Sequence, residues 1–351
     1  MGLQYPEKFL SVNKNKVSRE TNRSIVSLMQ GMWGHLSRKR KIQTGFLFCV
    51  TILSALSEIV SLGAVIPFIG VITAPEIVFK YQIVSQISSY FDINSPEELI
   101  LPITILFCLA ALVAGAIRAL LLWLSTRLAF AGGSDLSIEL YRRTLDQPYQ
   151  VHVSRNTSEV ISGIVNKLHG VITWVLFPVL AMINSVFLLI AVLSTLIFIN
   201  PGIAFMAILG FGMSYLLVMF ISRRRLVKNS QDEAFNQTQV VKALQEGLGG
   251  IRDVLLNGTQ AVYCDIYSKS DRPLRSAQGN NIFIGQSPRY AMEAFGMILI
   301  AMIAFSLSKS FNTSTSIAGP LQMLGVLAFA AQRLLPALQQ IYNGWSAIIG
   351  H

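Results

Sequence analysis

The chain has 351 residues, of which 52% are hydrophobic and only 13% charged, about half the roughly 25% charged share of a soluble domain. That deficit excludes an ordinary water-soluble globule, because most of the surface must face something other than water. The net charge of +10 would suggest nucleic acid on a soluble protein. On a membrane protein it reflects basic cytoplasmic loops, so no nucleic-acid partner is expected.

Residues 1–42 read as a cytoplasmic N-terminal segment and elbow. Nothing before Ile25 forms the apolar core of a signal peptide, so the first span acts as its own membrane address. A helical span needs roughly 20 mainly apolar residues. Six stretches qualify: 44–72, 100–128, 171–199, 203–221 after the Asn200-Pro201-Gly202 turn, 290–307 and 317–349. They are too long and too continuous for the alternating strands of a barrel, so the fold class is an all-α membrane protein with six transmembrane helices. After the first span, Phe79, Ile83, Ile87 and Tyr90 fall on one face of an amphipathic segment. That segment suits an external helix in the outer interface, or a plug packed on the bundle.

The basic residues set the orientation. Arg38 to Lys41 precede the first span. Arg142, Arg143, Arg155 and Lys167 lie between spans two and three. Arg223 to Arg225, Lys228, Lys242, Arg252, Lys269, Arg272 and Arg275 lie between spans four and five. The other gaps carry only Lys80 and Lys309. Positive loops face the cytoplasm, which gives six spans with both termini inside. Both inner segments have near-helical apolar spacing, at 135–146 and 231–256, so spans two to five are expected to extend well into the cytoplasm. The run Ala131-Gly132-Gly133-Ser134 reads as a small-residue break at a helix end. Pro67, Pro178 and Pro336 sit inside spans; Pro178 reads as a static kink, and the other two as kinks or hinges.

Ionisable groups at membrane depth are costly and mark function by default. Here they are Glu58, Arg118, Arg289, Glu293 and Arg333. One reading is a cavity lined with guanidinium groups for a polyanion such as pyrophosphate, since arginine makes bidentate phosphate contacts and keeps its charge. The other pairs Glu58 with Arg118 or Arg333, and Glu293 with Arg289 along one helix face. Cys49, Cys108 and Cys264 and the four scattered histidines show no metal-ligand spacing, so no metal or catalytic cluster is expected.

Leu145-Asp146-Gln147-Pro148-Tyr149, followed by Asn156-Thr157-Ser158-Glu159-Val160, resembles the first inner loop of the exporter-type ABC transporter membrane domain. Gln245 to Val254 (QEGLGGIRDV) resembles its second coupling region. A narrower resemblance, to lipid-linked oligosaccharide flippases of the PglK type, rests on five features. These are Glu58 with Pro67-Phe68-Ile69, Ile117 to Leu121, Ser287-Pro288-Arg289-Tyr290, Glu293 with Gly296, and Arg333-Leu334-Leu335-Pro336. That branch carries a further arginine about two turns after Arg333, where Gln339 and Gln340 stand here.

The resemblance implies the type IV exporter fold over residues 43–351, in a homodimeric half-transporter of a bacterial inner membrane. Arg118, Arg289, Arg333, Glu58 and Glu293 would bind a lipid-linked glycan. Pro148, Tyr149, Val151 and His152, together with Gly250, Ile251, Arg252 and Asp253, would couple the chain to an ATPase. The phosphate-cradling G-x-x-x-x-G-K-[ST] loop is missing, with no Gly-Lys pair anywhere in the sequence. ATP and Mg2+ are therefore expected on a nucleotide-binding domain encoded beyond His351 or as a separate chain. The alternatives are an exporter of peptides or small hydrophobic molecules, and an ion-coupled secondary transporter.

Overall fold

The computed structural model describes residues 37–73, 75–79, 95–154, 160–161, 163–310 and 318–350. All regular structure among them is helical. The N-terminal segment up to residue 36, residues 156–159 of the first inner loop, and Ile83, Ile87 and Tyr90 of the expected external helix lie outside the described residues.

Helix α1, Arg38–Gly63, starts at Ser37, whose Oγ accepts the Arg40 N–H at 3.4 Å in the usual N-cap manner. It breaks at Ala64 and resumes as α2, Val65–Thr73. Pro67 accounts for the break. It offers no N–H to the Gly63 carbonyl four residues back, and its ring crowds that carbonyl. A short helix α3, Pro75–Phe79, and a 3-10 turn, Pro96–Leu99, lead into α4, Ile100–Leu145.

Helix α4 runs unbroken through Ala131 to Ser134, contrary to the expected break at the small residues. Gly132 and Gly133 are buried, and a Cβ on Gly133 would overlap the Ile172 side chain. The glycines serve close helix approach, and a helix held by its neighbours tolerates their poor propensity.

After α4 the chain turns through α5, Tyr149–Ser154. The return strand of the pair begins as a π-turn at Gly163–Lys167, continues as α6, Leu168–Val171, and widens again at Ile172–Leu176 before α7, Phe177–Ile199. Pro178 sits in the first turn of α7, directly after the wide turn at Ile172–Leu176. At Asn200 the backbone is extended, and the Asn200 Oδ1 accepts the Gly202 N–H at 3.0 Å. Pro201 then opens α8, Pro201–Gly249. After α8 the chain reverses through α9, Ile251–Leu256, and the left-handed Gly258 (φ 63°), a conformation open to glycine. Helix α10, Gln260–Ser310, and α11, Ala318–Gly350, complete the chain.

Among the described residues, four helical stretches are long and apolar enough to cross a membrane: Arg38–Thr73, Pro96–Leu145, Gly163–Ile199 and Ala204–Gly249. The two other expected spans are helical as well, as parts of α10 and α11. Helices α4, α8 and α10 have 46, 49 and 51 residues. At 1.5 Å per residue they reach about 69, 74 and 77 Å, more than twice the roughly 30 Å of hydrocarbon.

The main core lies around the α7–α8 turn, the α1–α2 break and the start of α11. Leu62, Val65, Leu196, Ala204, Phe211 and Val326 are buried there. Phe68 stacks on Phe107 at 4.5 Å, and Phe329 meets Phe107 edge-on. Away from this core α8 and α10 pack along each other, with α9 joining their tips. The exterior is apolar: Phe46, Leu112, Phe198, Met213 and Phe220 stand exposed, as suits a surface solvated by lipid.

Candidate substrate site

Glu58 lies in the last two turns of α1, shortly before the break at Ala64, and is fully buried. Its Oε1 is 2.6 Å from Nε of Arg333 on α11 and 3.5 Å from Nη1 of Arg118 on α4. The Arg118 and Arg333 side chains keep 33% and 24% of their surface exposed, so the cluster is closed at Glu58 and partly open at the two arginines. Neither N–H lines up with Oε1 as a hydrogen bond, and Oε2 has no hydrogen-bond partner. Two guanidinium groups against one carboxylate leave one net positive charge at membrane depth. Both pairings that the sequence offered for Glu58 are therefore made at once.

Arg289 and Glu293 form a separate pair on α10, with Nε 2.8 Å from Oε1 and both side chains substantially exposed. No ion pair joins them to the Glu58 cluster among the described residues.

Polar side chains tie the helices around these charges. Asn184 on α7 accepts from Thr51 of α1 and donates to Ser125 of α4, both at 2.9 Å. Ser185, its neighbour, donates to Gln340 of α11 at 2.7 Å. Gln339 is buried; it accepts from Tyr215 of α8 and donates to the Gly285 carbonyl of α10 at 3.1 Å. Tyr342, with no exposed surface, contacts Ser222 of α8 and the Ile284 carbonyl of α10. At the end of α11, Asn281 donates to the Gly350 carbonyl at 2.8 Å and to Glu233 of α8. Sequence reading missed Tyr342 and Asn281, and took Gln339 only as a missing arginine. The available signal was a set of hydrogen-bonding residues, 339, 342 and 343, one turn apart in an otherwise apolar helix.

At the reversals after α4 and α8, Pro148 precedes α5 and its carbonyl accepts the Val151 N–H at 2.9 Å. Tyr149 is 81% exposed, and His152 is exposed beside it. The Gly250 carbonyl accepts the N–H groups of Asp253 and Val254 and so starts α9. Arg252 and Asp253 face outward while Val254 is buried. Ile251 and Val254 line an apolar pocket of about 360 Å³ with Leu244, Leu248, Tyr263 and Tyr267. Phe79, the described member of the expected external helix, packs beside Val71, Val78, Leu99 and Ile103. The three cysteines are free, and among the described residues no group of His, Cys, Asp and Glu has the geometry of a metal site.

The family model described as ABC transporter transmembrane region matches residues 44–330. No curated protein matches the chain. The matched stretch runs from the first turns of α1 into α11 and takes in the Glu58–Arg118 pair, the reversals at α5 and α9, and the Arg289–Glu293 pair. With that stretch covering most of the sequence, the chain belongs to the ABC transporter transmembrane region family.

Proposed function

We propose that this chain is the membrane half of an ATP-driven half-transporter that flips or exports an amphipathic anionic lipid, with a lipid-linked oligosaccharide as the type of cargo. The carrying observation is the cluster of Arg118 and Arg333 on the wholly buried Glu58. Charged groups at this depth are expensive. A structural ion pair needs one arginine, and the second supplies a net positive charge with a partly open guanidinium fork for phosphate oxygens. Arg289 and Glu293, one pair nearer the inner end of its span, would receive the head group first.

In this reading six helices cross the inner membrane with both termini cytoplasmic. The overhang of α4, α8 and α10 stands in the cytoplasm. The short helices α5 and α9 at its tips meet a nucleotide-binding domain, which carries ATP and Mg2+. A second copy of the chain closes the cavity. The basic residues at 142–143, 223–225 and 269–275 support this orientation. Glu58 is already engaged by two arginines, which argues against its service as the free midplane acid of an ion-coupled transporter.

Binding of a fluorescent polyprenyl-pyrophosphate glycan to the protein in nanodiscs tests the reading. Arg118→Ala and Arg333→Ala are expected to weaken it by tenfold or more each, about 1.4 kcal/mol, while a neutral lipid of the same chain length binds no better to wild type than to either variant. Wild-type affinity in both variants sinks the cavity.

A further inference from the structure

A proline inside a helix leaves one carbonyl without its donor, four residues back. Helix α10 contains Pro288, so the orphan is the carbonyl of Ile284. That carbonyl accepts the Tyr342 hydroxyl of α11 at 2.9 Å. A tyrosine hydroxyl has one proton, and a carbonyl can only accept, so the proton goes to Ile284. The contact at 3.2 Å between Tyr342 Oη and Ser222 Oγ is then donated by Ser222 of α8. One turn earlier on α11, Gln339 repeats the arrangement. Its amide donates to the next carbonyl, that of Gly285, and its oxygen accepts from Tyr215 of α8. Two rungs thus join α8, α10 and α11 at the gap in the hydrogen-bond ladder that Pro288 creates.

We propose that Tyr342 and Gln339 are positioning residues that clamp the Pro288 site. The clamp makes the inner halves of α8, α10 and α11 one rigid unit and fixes Arg289, the residue next to the proline. Asn281, bonded to the Gly350 carbonyl and to Glu233, closes the same unit at its cytoplasmic end. Pro288 is thereby a closed joint, and motion applied at α9 reaches Arg289 without being absorbed in between. The role of Arg289 in this chain of events rests on the proposed function; the clamp itself does not.

The test is amide hydrogen exchange of residues 280–295 in the full chain in nanodiscs, on a double-mutant cycle. Tyr342→Phe keeps the ring and removes the proton. It is expected to speed exchange across this segment by about 5- to 100-fold, the factor for leaving one buried carbonyl unpaired. Pro288→Ala restores the missing N–H, so Tyr342→Phe in that background is expected to change exchange less than twofold. Gln339→Met gives an independent arm, with local acceleration centred on Gly285 in the Pro288 background. Equal acceleration by Tyr342→Phe in both backgrounds means ordinary packing and overturns the clamp, as does no acceleration in either. Binding of the fluorescent polyprenyl-pyrophosphate glycan is measured in the same nanodiscs. A protein that shows the cycle but binds no probe keeps the clamp and loses the transport reading.

Discussion

Replacing Glu58 with glutamine should move stability and affinity in opposite directions, which makes it the sharpest probe of the arginine cluster. The carboxylate is fully buried with Arg333 at 2.6 Å and Arg118 at 3.5 Å. Removing one member of a buried pair costs about 3–5 kcal/mol. The two arginines are 24% and 33% exposed and regain some hydration, so the expected loss in the ligand-free protein is near 3 kcal/mol. A phosphate bound at the same guanidinium groups would stand about 5 Å from Glu58, and at an effective dielectric of about 20 that repulsion is about 3 kcal/mol per unit charge.

Neutralising Glu58 therefore should tighten a polyprenyl-pyrophosphate probe by tenfold or more even after solvent screening takes half of that energy. Chemical denaturation followed by tryptophan fluorescence reads the first effect, and fluorescence binding in nanodiscs reads the second. Saturating probe should restore more stability to the variant than to wild type, by mass action. Lower stability with unchanged or weaker binding would mean that Glu58 shapes the arginines without competing for them, and the displacement argument would be lost.

Other expectations follow from single contacts. A Cβ at Gly344 would overlap Met182 and come within 3.1 Å of the Pro178 carbonyl, so Gly344→Ala should lose about 1–3 kcal/mol by overpacking. Gly45→Ala, which meets nothing within 4 Å, should gain up to about 1 kcal/mol from helix propensity; thermal unfolding of the two variants side by side checks the contrast. Asn184→Leu removes the link among α1, α4 and α7 and should cost about 0.6–1.7 kcal/mol in detergent unfolding, the range for such bonds in membranes. The Arg40 guanidinium, hydrogen-bonded to Asp135, holds that carboxyl below the usual carboxylate range. Its contribution is present above pH ~4 and fades as the pH falls through the lowered value. Because the pair is partly exposed, Asp135→Asn should cost under about 1 kcal/mol at pH 7 and less at pH 3.

The apolar runs were legible as helices because a span must satisfy every backbone group within itself. The length of α4 and α8 was legible because their apolar spacing persists past the hydrocarbon. The glycines at 132 and 133 misled, since the same residue that ends a solvated helix permits close approach in a packed one; burial decides, and sequence does not show it. The break at Ala64 was within reach from Pro67 but was left open as kink or hinge. Among the charges, the pairing of Arg289 with Glu293 follows from four-residue spacing alone. The convergence of Arg118 and Arg333 on one carboxylate depends on how α1, α4 and α11 pack, so the sequence could offer the two pairings only as alternatives.

The glutamines at 339 and 340 show why a departure from a family pattern should be read through its surroundings. An arginine at 339 would have five donors and no acceptor, so it could reach the Gly285 carbonyl but would leave the Tyr215 hydroxyl without its acceptor in a buried setting. Glutamine supplies both functions, and both are used. Position 340 is different: it is exposed and its described hydrogen bond is to Ser185, so an arginine there would displace that bond and add a charge on the helix face of Arg333, two turns away. Glutamines at these two positions therefore leave α11 with its polar contacts made. At 339 the position carries helix-to-helix bonding beside Pro288, and the positive charge of the cluster is left to Arg118 and Arg333, held against Glu58.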